Sequence, residues 1–178
     1  LWIHGPTGRF YAFFHNETGW NAGATGYTAY GQAAGEPDFR HIGLMHSDDQ
    51  GRTWDFDRWV LTSHESCYSE RYRPDGLLDG GQKEGVICLG AGDFTLFVDP
   101  GEEYLYLFYT MLRYDMAGNT ILSSDAYAAR TAIRADGRIG DFVKYHQGMF
   151  CQPGNMGHES IIVHDAWHPA VVYSRALD

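Results

Sequence analysis

Short apolar runs alternate with turn signals along the whole chain. The runs are rich in β-branched and aromatic residues, which is typical of strands. The clearest runs lie at residues 10–15, 41–46, 59–62, 93–98, 104–110, 127–133 and 160–163. Turn-forming sequences such as Asp99-Pro100-Gly101 separate them. Because no long helical pattern is present, the sequence predicts an all-β fold.

The strand–turn–strand pattern repeats. The segment that begins at Asp93 aligns without a gap with the segment that begins at Glu159, and each places an aspartate, Asp99 or Asp165, in its turn. The start of the chain follows the same pattern, and the later halves of the first two units also correspond. The repeat therefore predicts units of four antiparallel strands that begin near Leu1, Asp93 and Glu159.

Such units predict a β-propeller, because a four-stranded unit cannot bury both of its faces alone. Four-stranded units that stack radially are propeller blades. We therefore expect one partial propeller domain over residues 1–178, with blades over 1–92 and 93–158 and the start of a third over 159–178. Since about two and a half blades cannot close a ring, we expect either a fragment of a longer chain or assembly with another copy.

Two long insertions interrupt the blades, at residues 16–40 and 63–89. Insertions of this length often shape a binding site, although a surface loop without function is an equal alternative. In the first insertion, Trp20, Tyr27 and Tyr30 provide aromatic rings that either stack on sugars or pack the loop itself.

Composition narrows the choice of partners. The formal net charge is −10, with 13 basic and 23 acidic residues, which argues against nucleic acid and anionic membrane surfaces. No apolar run is long enough to span a membrane. Cys67, Cys88 and Cys151 are odd in number and lack a CxxC spacing, so one bridge with a free thiol and three buried thiols stay open as alternatives.

Sequence fingerprints of cofactor and metal sites are missing. No P-loop, nucleophile elbow or dinucleotide fingerprint occurs, so no cofactor is expected. His164, Asp165 and His168 fall in one predicted turn, and their side chains are of metal-ligating types. Their spacing is not diagnostic, so we favour a solvated turn and expect no metal.

Residues 47–54 read SDDQGRTW and fit S-x-D-x-G-x-T-W at each fixed position. We expect Asp49 to hydrogen-bond its own turn, Gly51 to adopt a conformation closed to other residues, and Trp54 to pack back into the blade. The pattern resembles the Asp-box of sialidases and other, mostly secreted, carbohydrate-active propellers. There it lies on the hairpin between the third and fourth strands of a blade. The resemblance implies a structural role for the motif and an extracellular or periplasmic protein.

A second pattern is similar to the five-bladed glycosidases of the arabinanase, xylosidase and fructosidase type. It consists of an acid, an apolar strand, an Asp-Gly turn and an aromatic strand, as in Gly92-Asp93-Phe94 followed by YLYLFY, with Gly157-His158-Glu159 in the same place in the next unit. The resemblance implies catalytic carboxylates at Asp93 and Glu159. The equivalent acid of the first blade, which in that family is the general base or nucleophile, falls upstream of Leu1.

The resemblance assigns different roles to the two carboxylates. Asp93 would orient the substrate and raise the pKa of a neighbouring acid. Glu159 would be the general acid that protonates the leaving oxygen. The structural alternatives are an aspartate that satisfies backbone groups at a strand start and a glutamate at the rim of a blade.

Four further residues are candidates for sugar binding. His15 and Glu17 follow the aromatic strand of the first unit, His158 precedes Glu159, and Arg113 follows the aromatic strand of the second unit. For each, we favour the alternative of a surface or packing residue.

We therefore expect a glycoside hydrolase-like propeller that acts on a carbohydrate through paired carboxylates. This predicts that Asp93 and Glu159 line one pocket, about 5–10 Å apart. The alternatives are a propeller that binds a glycan without cleaving it, and a scaffold propeller that has no central pocket with convergent polar groups.

Overall fold

The described residues form strands and turns. In this computed structural model they are residues 1–17, 40–63, 86–115 and 120–174. The strands are β1 (Trp2–His4), β2 (Arg9–Glu17), β3 (Arg40–Ser47), β4 (Asp55–Leu61), β5 (Val86–Val98), β6 (Tyr104–Asp115), β7 (Thr120–Ala132), β8 (Val143–His146) and β9 (Met149–Pro153). The predicted all-β class is confirmed. None of the described segments forms a helix that is long and apolar enough to cross a bilayer.

The strands form two antiparallel meanders. The first runs β1-β2-β3-β4, and the second runs β5-β6-β7-β8-β9. One parallel bridge between Arg40 and Gly90 joins them. Gly90 has a positive φ of 93°, and a Cβ there would collide with the carbonyl oxygen of Arg40. Glycine therefore allows β5 to approach β3 this closely.

The strand boundaries agree with the predicted units only in part. The first meander lies within the first predicted unit, whereas β5 begins at Val86, before the predicted boundary at Asp93. The prediction of a strand at 160–163 is wrong, because only Val163 pairs, in an isolated bridge with Ala126. The radial arrangement of these units in a propeller stays a prediction.

The core lies between the two meanders. Buried apolar side chains from both form one cluster, which includes Tyr11, Ile42, Leu44, Leu61, Leu105, Leu107, Tyr109, Ala129 and Phe142. Phe13 of β2 meets Phe142 edge to face, with ring centroids 5.9 Å apart. The Tyr11 hydroxyl donates a 2.7 Å hydrogen bond to the carbonyl of Gly137. The two meanders therefore stabilise each other.

A buried lysine ties the second meander to the end of the first. The Lys144 ammonium on β8 donates to the carbonyls of Thr62 at 2.6 Å and Gly157 at 2.9 Å, and to the Glu159 carboxylate at 2.6 Å. The side chains of Lys144 and Glu159 are 0% and 1% exposed. Burial lowers the pKa of Lys144, and the charge of Glu159 partly offsets that effect. These acceptors match the three N–H donors of the ammonium.

The turn between β3 and β4 is organised by Asp49. Its Oδ1 accepts hydrogen bonds from the backbone N–H groups of Arg52 and Thr53, at 2.9 and 2.8 Å, and from the Ser47 hydroxyl at 2.8 Å. Its Oδ2 accepts from the Thr53 hydroxyl at 2.7 Å. The predicted hydrogen bonds of Asp49 to its own turn are therefore confirmed.

Gly51 of the same turn also follows the prediction, whereas packing of Trp54 back into a blade stays a prediction. Gly51 has a φ of 85°, which suits glycine. The half-buried Trp54 donates its indole N–H to the Gly51 carbonyl at 3.0 Å. A salt bridge between Arg9 and Asp48, at 2.6 Å, fastens the turn to β2.

Lys144→Met should destabilise the fold strongly, because the Glu159 carboxylate would be left buried without its cation. We expect a loss of about 3–5 kcal/mol in the free energy of unfolding, measured with urea. Lys144→Met combined with Glu159→Leu should recover much of the loss, since no unpaired charge remains. Arg138→Met removes an ion-paired cation that is 70% exposed and should cost less than about 1 kcal/mol. Equal losses for Lys144→Met and Arg138→Met would contradict this account.

Asp49→Ala should reduce stability at neutral pH and change its acid dependence. The hydrogen bond from the backbone of Thr53 is the first cause that holds the pKa of Asp49 at about 2, below its ordinary 3.8. The folded state therefore binds this proton more weakly than the unfolded chain, and the stabilisation is lost as the pH falls from about 4 towards 2. Urea midpoints across this range should fall less steeply for Asp49→Ala than for the unsubstituted protein. The exposed Asp55→Ala serves as control and should retain the original slope.

Candidate functional site

Asp93 is placed by a bulge in β5. Gly92 pairs with Thr110 and Phe94 pairs with Tyr109, so Asp93 is an extra residue in the ladder. Its φ is 22°. Such bulges redirect a side chain and are common beside active sites.

The carboxylate of Asp93 is surrounded by cationic and imidazole groups. Its Oδ2 lies 3.6 Å from Nη1 of Arg40, a side chain that is 5% exposed. Its Oδ1 lies 3.8 Å from Nδ1 of His15 and 3.7 Å from Nδ1 of His168. These distances exceed hydrogen-bond length, so both oxygens can still accept hydrogen bonds from a ligand. The side chain is 13% exposed, which leaves it accessible from one side.

The tautomer of His15 follows from its contact with the bulge. The backbone N–H of Asp93 donates a 3.0 Å hydrogen bond to Nδ1 of His15. Nδ1 therefore carries no proton, and neutral His15 holds its proton on Nε2. His15 is 34% exposed, and its ring meets Phe94 edge to face at a centroid distance of 6.5 Å.

A cavity of about 260 Å³ opens beside this group, and the described residues that line it are His15, Asp93, Phe94, His168 and Pro169. It thus combines a carboxylate, two imidazoles, an aromatic ring and a proline ring. A few convergent polar groups on an apolar wall are typical of small-molecule sites.

Glu159 has a different environment. Its carboxylate is 1% exposed and forms the 2.6 Å ion pair with Lys144, and it does not line the Asp93 cavity. A general acid must hold a proton and reach the leaving oxygen. The ion pair with the Lys144 ammonium already occupies this carboxylate. The described geometry thus brings Asp93, but not Glu159, to the cavity.

Some of the other predicted binding residues line the Asp93 cavity and others do not. His15 lines the cavity, whereas Arg113 and His158 do not. Arg113 lies on β6, paired with Cys88 and Ser123. His158 is exposed and lies 5.9 Å from the ring of His146. Glu17 ends β2, and its side chain lies outside the described part of the structure.

Several further predictions fall on residues that the structure does not describe. Trp20, Tyr27, Tyr30 and Cys67 lie outside the described ranges. Cys151 is an exposed thiol. Among the described residues, no group of three or more His, Cys, Asp or Glu side chains is placed to hold a metal ion.

Sequence reasoning missed three important residues. Arg40 is hidden at the end of an insertion, and Lys144 lies in a strand whose pattern gives no sign of a buried charge. The sequence places His168 in a solvated turn, and its side chain is 74% exposed. Its proximity to Asp93 depends on the path of the chain after Glu159, which local sequence patterns do not encode.

A second crevice, of about 390 Å³, lies between β4 and the β8–β9 region. Its charged lining residues are Arg58 and Asp141, which lie 3.8 Å apart. Arg58 already pairs with Asp57 at 2.8 Å and donates to the carbonyls of Ile139 and Gly140 at 3.0 and 2.8 Å. This crevice therefore serves to join the two meanders, and the Asp93 cavity is the better candidate site.

Known proteins do not assign a role to this cavity. Comparison of the chain with protein-family models, curated proteins and solved structures finds no match. Function is therefore inferred from sequence patterns and from the groups around Asp93.

Gly92→Ala should disturb the site through Arg40. A Cβ at Gly92 would lie 2.7 Å from Cδ of Arg40 and 3.4 Å from Nδ1 of His15. Because Arg40 is buried, we expect a loss of about 1–3 kcal/mol in stability and a shift of the His15 imidazole signals in NMR spectra. Gly5→Ala is the matched control, since a Cβ there meets nothing within 4 Å. Unchanged His15 signals in Gly92→Ala would show that the close packing around Arg40 is misjudged.

Proposed function

We propose that this protein binds a carbohydrate in the cavity beside Asp93. The observation that carries the proposal is the partly exposed Asp93 carboxylate, which borders a cavity that also contains His15, His168 and Phe94. Carboxylates and imidazoles are suited to the dense hydroxyl groups of a sugar, since they accept and donate hydrogen bonds at fixed positions. An aromatic ring can cover the apolar face of a pyranose.

The size of the cavity suggests how much of a glycan it holds. Its volume of about 260 Å³ lies just below the usual range for ligand pockets, which begins at about 300 Å³. We infer that it holds one sugar unit rather than an extended oligosaccharide. The resemblance of residues 47–54 to the Asp-box supports the same ligand class, together with an extracellular or periplasmic β-propeller.

Hydrolysis by paired carboxylates is the second candidate. Asp93 has the position that the glycosidase resemblance gives to the carboxylate that orients the substrate. The buried ion pair of Glu159 with Lys144 favours binding over cleavage, because it holds this carboxylate away from the cavity, whereas a glycosidase needs both of its carboxyl groups at the scissile bond. For hydrolysis, Glu159 would have to leave Lys144 and reach the cavity.

Asp93→Ala should weaken sugar binding about 10- to 100-fold, because hydrogen bonds to a charged group contribute roughly 1.5–3 kcal/mol. The test uses saturation-transfer NMR and calorimetry with a panel of methyl glycosides of common neutral and acidic sugars. The corresponding p-nitrophenyl glycosides report cleavage. Binding without cleavage supports recognition, whereas cleavage that both Asp93→Ala and Glu159→Gln abolish, while circular dichroism shows both variants folded, supports the second candidate.

Asp136→Ala provides the control, since this carboxylate is 58% exposed and lies in a turn. It should bind the panel as the unsubstituted protein does. Absence of binding by the unsubstituted protein across the panel, or equal affinities for Asp93→Ala and Asp136→Ala, would contradict the proposal.

A further inference from the structure

The segment that follows Glu159 lies along β7. β8 is short and pairs with β7 at Ala129 and Arg130, which leaves the first half of that edge of β7 uncovered by β8. Residues 160–169, here called the strap, approach this edge instead. The N–H of Ala126 donates to the carbonyl of Val163 at 2.8 Å, and the N–H of Ile162 donates back to Ala126 at 2.9 Å. The strap thus satisfies polar groups that an uncovered strand edge would leave to solvent.

Asp125 fastens the strap from the same strand. Its Oδ1 accepts from the backbone N–H of Asp165 at 3.3 Å and lies 3.2 Å from Nδ1 of His164. Its Oδ2 accepts from the Ser123 hydroxyl at 3.3 Å. The side chain is 7% exposed, so one buried carboxylate connects β7 to two consecutive strap residues.

Ser124 adds a second attachment. Its hydroxyl donates a 2.6 Å hydrogen bond to the Ala166 carbonyl, and the N–H of Ala166 donates to the Ser124 carbonyl at 2.7 Å. Beyond this point, His168 has a positive φ of 46°, as does Asp165 at 53°. Non-glycine residues adopt such values rarely and need their surroundings to hold them. The attachments to β7 hold the strap around Asp165, while Ser160 at its start donates its N–H to the carbonyl of Tyr145 on β8 at 2.9 Å.

The path of the strap determines one wall of the Asp93 cavity. It places Nδ1 of His168 3.7 Å from the Asp93 carboxylate, and His168 and Pro169 both line the cavity. The side chain of His168 is 74% exposed, so packing around the imidazole itself does little to fix it. Its position depends on the backbone before it.

We propose that Asp125 is a positioning residue for the carbohydrate site and acts by latching the strap that carries His168 to Asp93. Asp125 does not line the cavity and reaches it through the strap. The role in recognition rests on the proposed function, whereas the latch itself does not.

The latch is tested without any ligand by hydrogen–deuterium exchange. In Asp125→Ala, the amides of Ile162, Asp165 and Ala166 should exchange about tenfold faster or more, because loss of the latch frees the strap locally. Amides of β6 should keep their rates. Asp141→Ala is the control, since that carboxylate is 97% exposed, and it should leave the strap unchanged.

The role in recognition is tested with the methyl glycoside that binds the unsubstituted protein most tightly. We expect Asp125→Ala and His168→Ala each to weaken its binding about tenfold. The double variant should bind the glycoside no more weakly than the single variant of lower affinity, because both substitutions remove the same wall of the cavity. His164→Ala, whose side chain is 77% exposed, provides a milder form of the same test if Asp125→Ala does not fold.

The outcomes separate the two proposals. Unchanged exchange of the strap in both Asp125→Ala and His164→Ala would overturn the latch, whatever the protein binds. Asp125→Ala could speed amide exchange in the strap while the affinity losses of the two single variants add up in the double variant. That result would overturn the action of Asp125 through His168. Absence of sugar binding by the unsubstituted protein would overturn the proposed function and the role of Asp125 in recognition, while the exchange rates alone would then decide on the latch.

Discussion

The ion pair between Lys144 and Glu159 is the interaction on which the rest of this structure depends. A fully buried ammonium is costly unless each N–H finds an acceptor, and here the acceptors come from the end of β4 and from the segment after β9. The pair therefore fixes the two meanders relative to each other and sets the point at which the strap begins. It also occupies the Glu159 carboxylate, for which the sequence predicts a role as general acid.

The candidate site depends indirectly on the way in which the Lys144–Glu159 pair holds the two meanders and the strap. The bulge at Asp93 turns a carboxylate out of the β5 ladder, the close approach of β3 places Arg40 beside it, and the strap contributes His168 from the other side. Of the described residues that line the cavity, Asp93 and Phe94 come from β5. The remaining groups converge because the meanders and the strap are held together, which explains why contacts distant from the cavity govern its shape.

The sequence predicted the elements well and their meeting points poorly. Short β-rich apolar runs between turn signals located most strands, and the SDDQGRTW pattern predicted the hydrogen bonds of Asp49. Both features are encoded within a few residues. The sequence also predicts Asp93 and His15 as candidates from their places beside aromatic strands, and the structure brings both to one cavity. The apolar residues at 160–163, in the first part of the strap, predict a strand. Of these residues only Val163 pairs, in an isolated bridge. The sequence does not predict the buried positions of Lys144 and Arg40, because a buried charge is recognisable only when its partners, distant in sequence, are known.

The central claim, that the groups gathered around Asp93 form a carbohydrate site, is tested most directly by mapping where a sugar contacts the protein. Amide and imidazole signals would be followed by NMR while a methyl glycoside that binds is added to the isotope-labelled chain. The account predicts that the largest shifts fall on His15, Asp93, Phe94 and His168. Shifts centred on the crevice around Arg58, or spread over the surface without a centre, would contradict it.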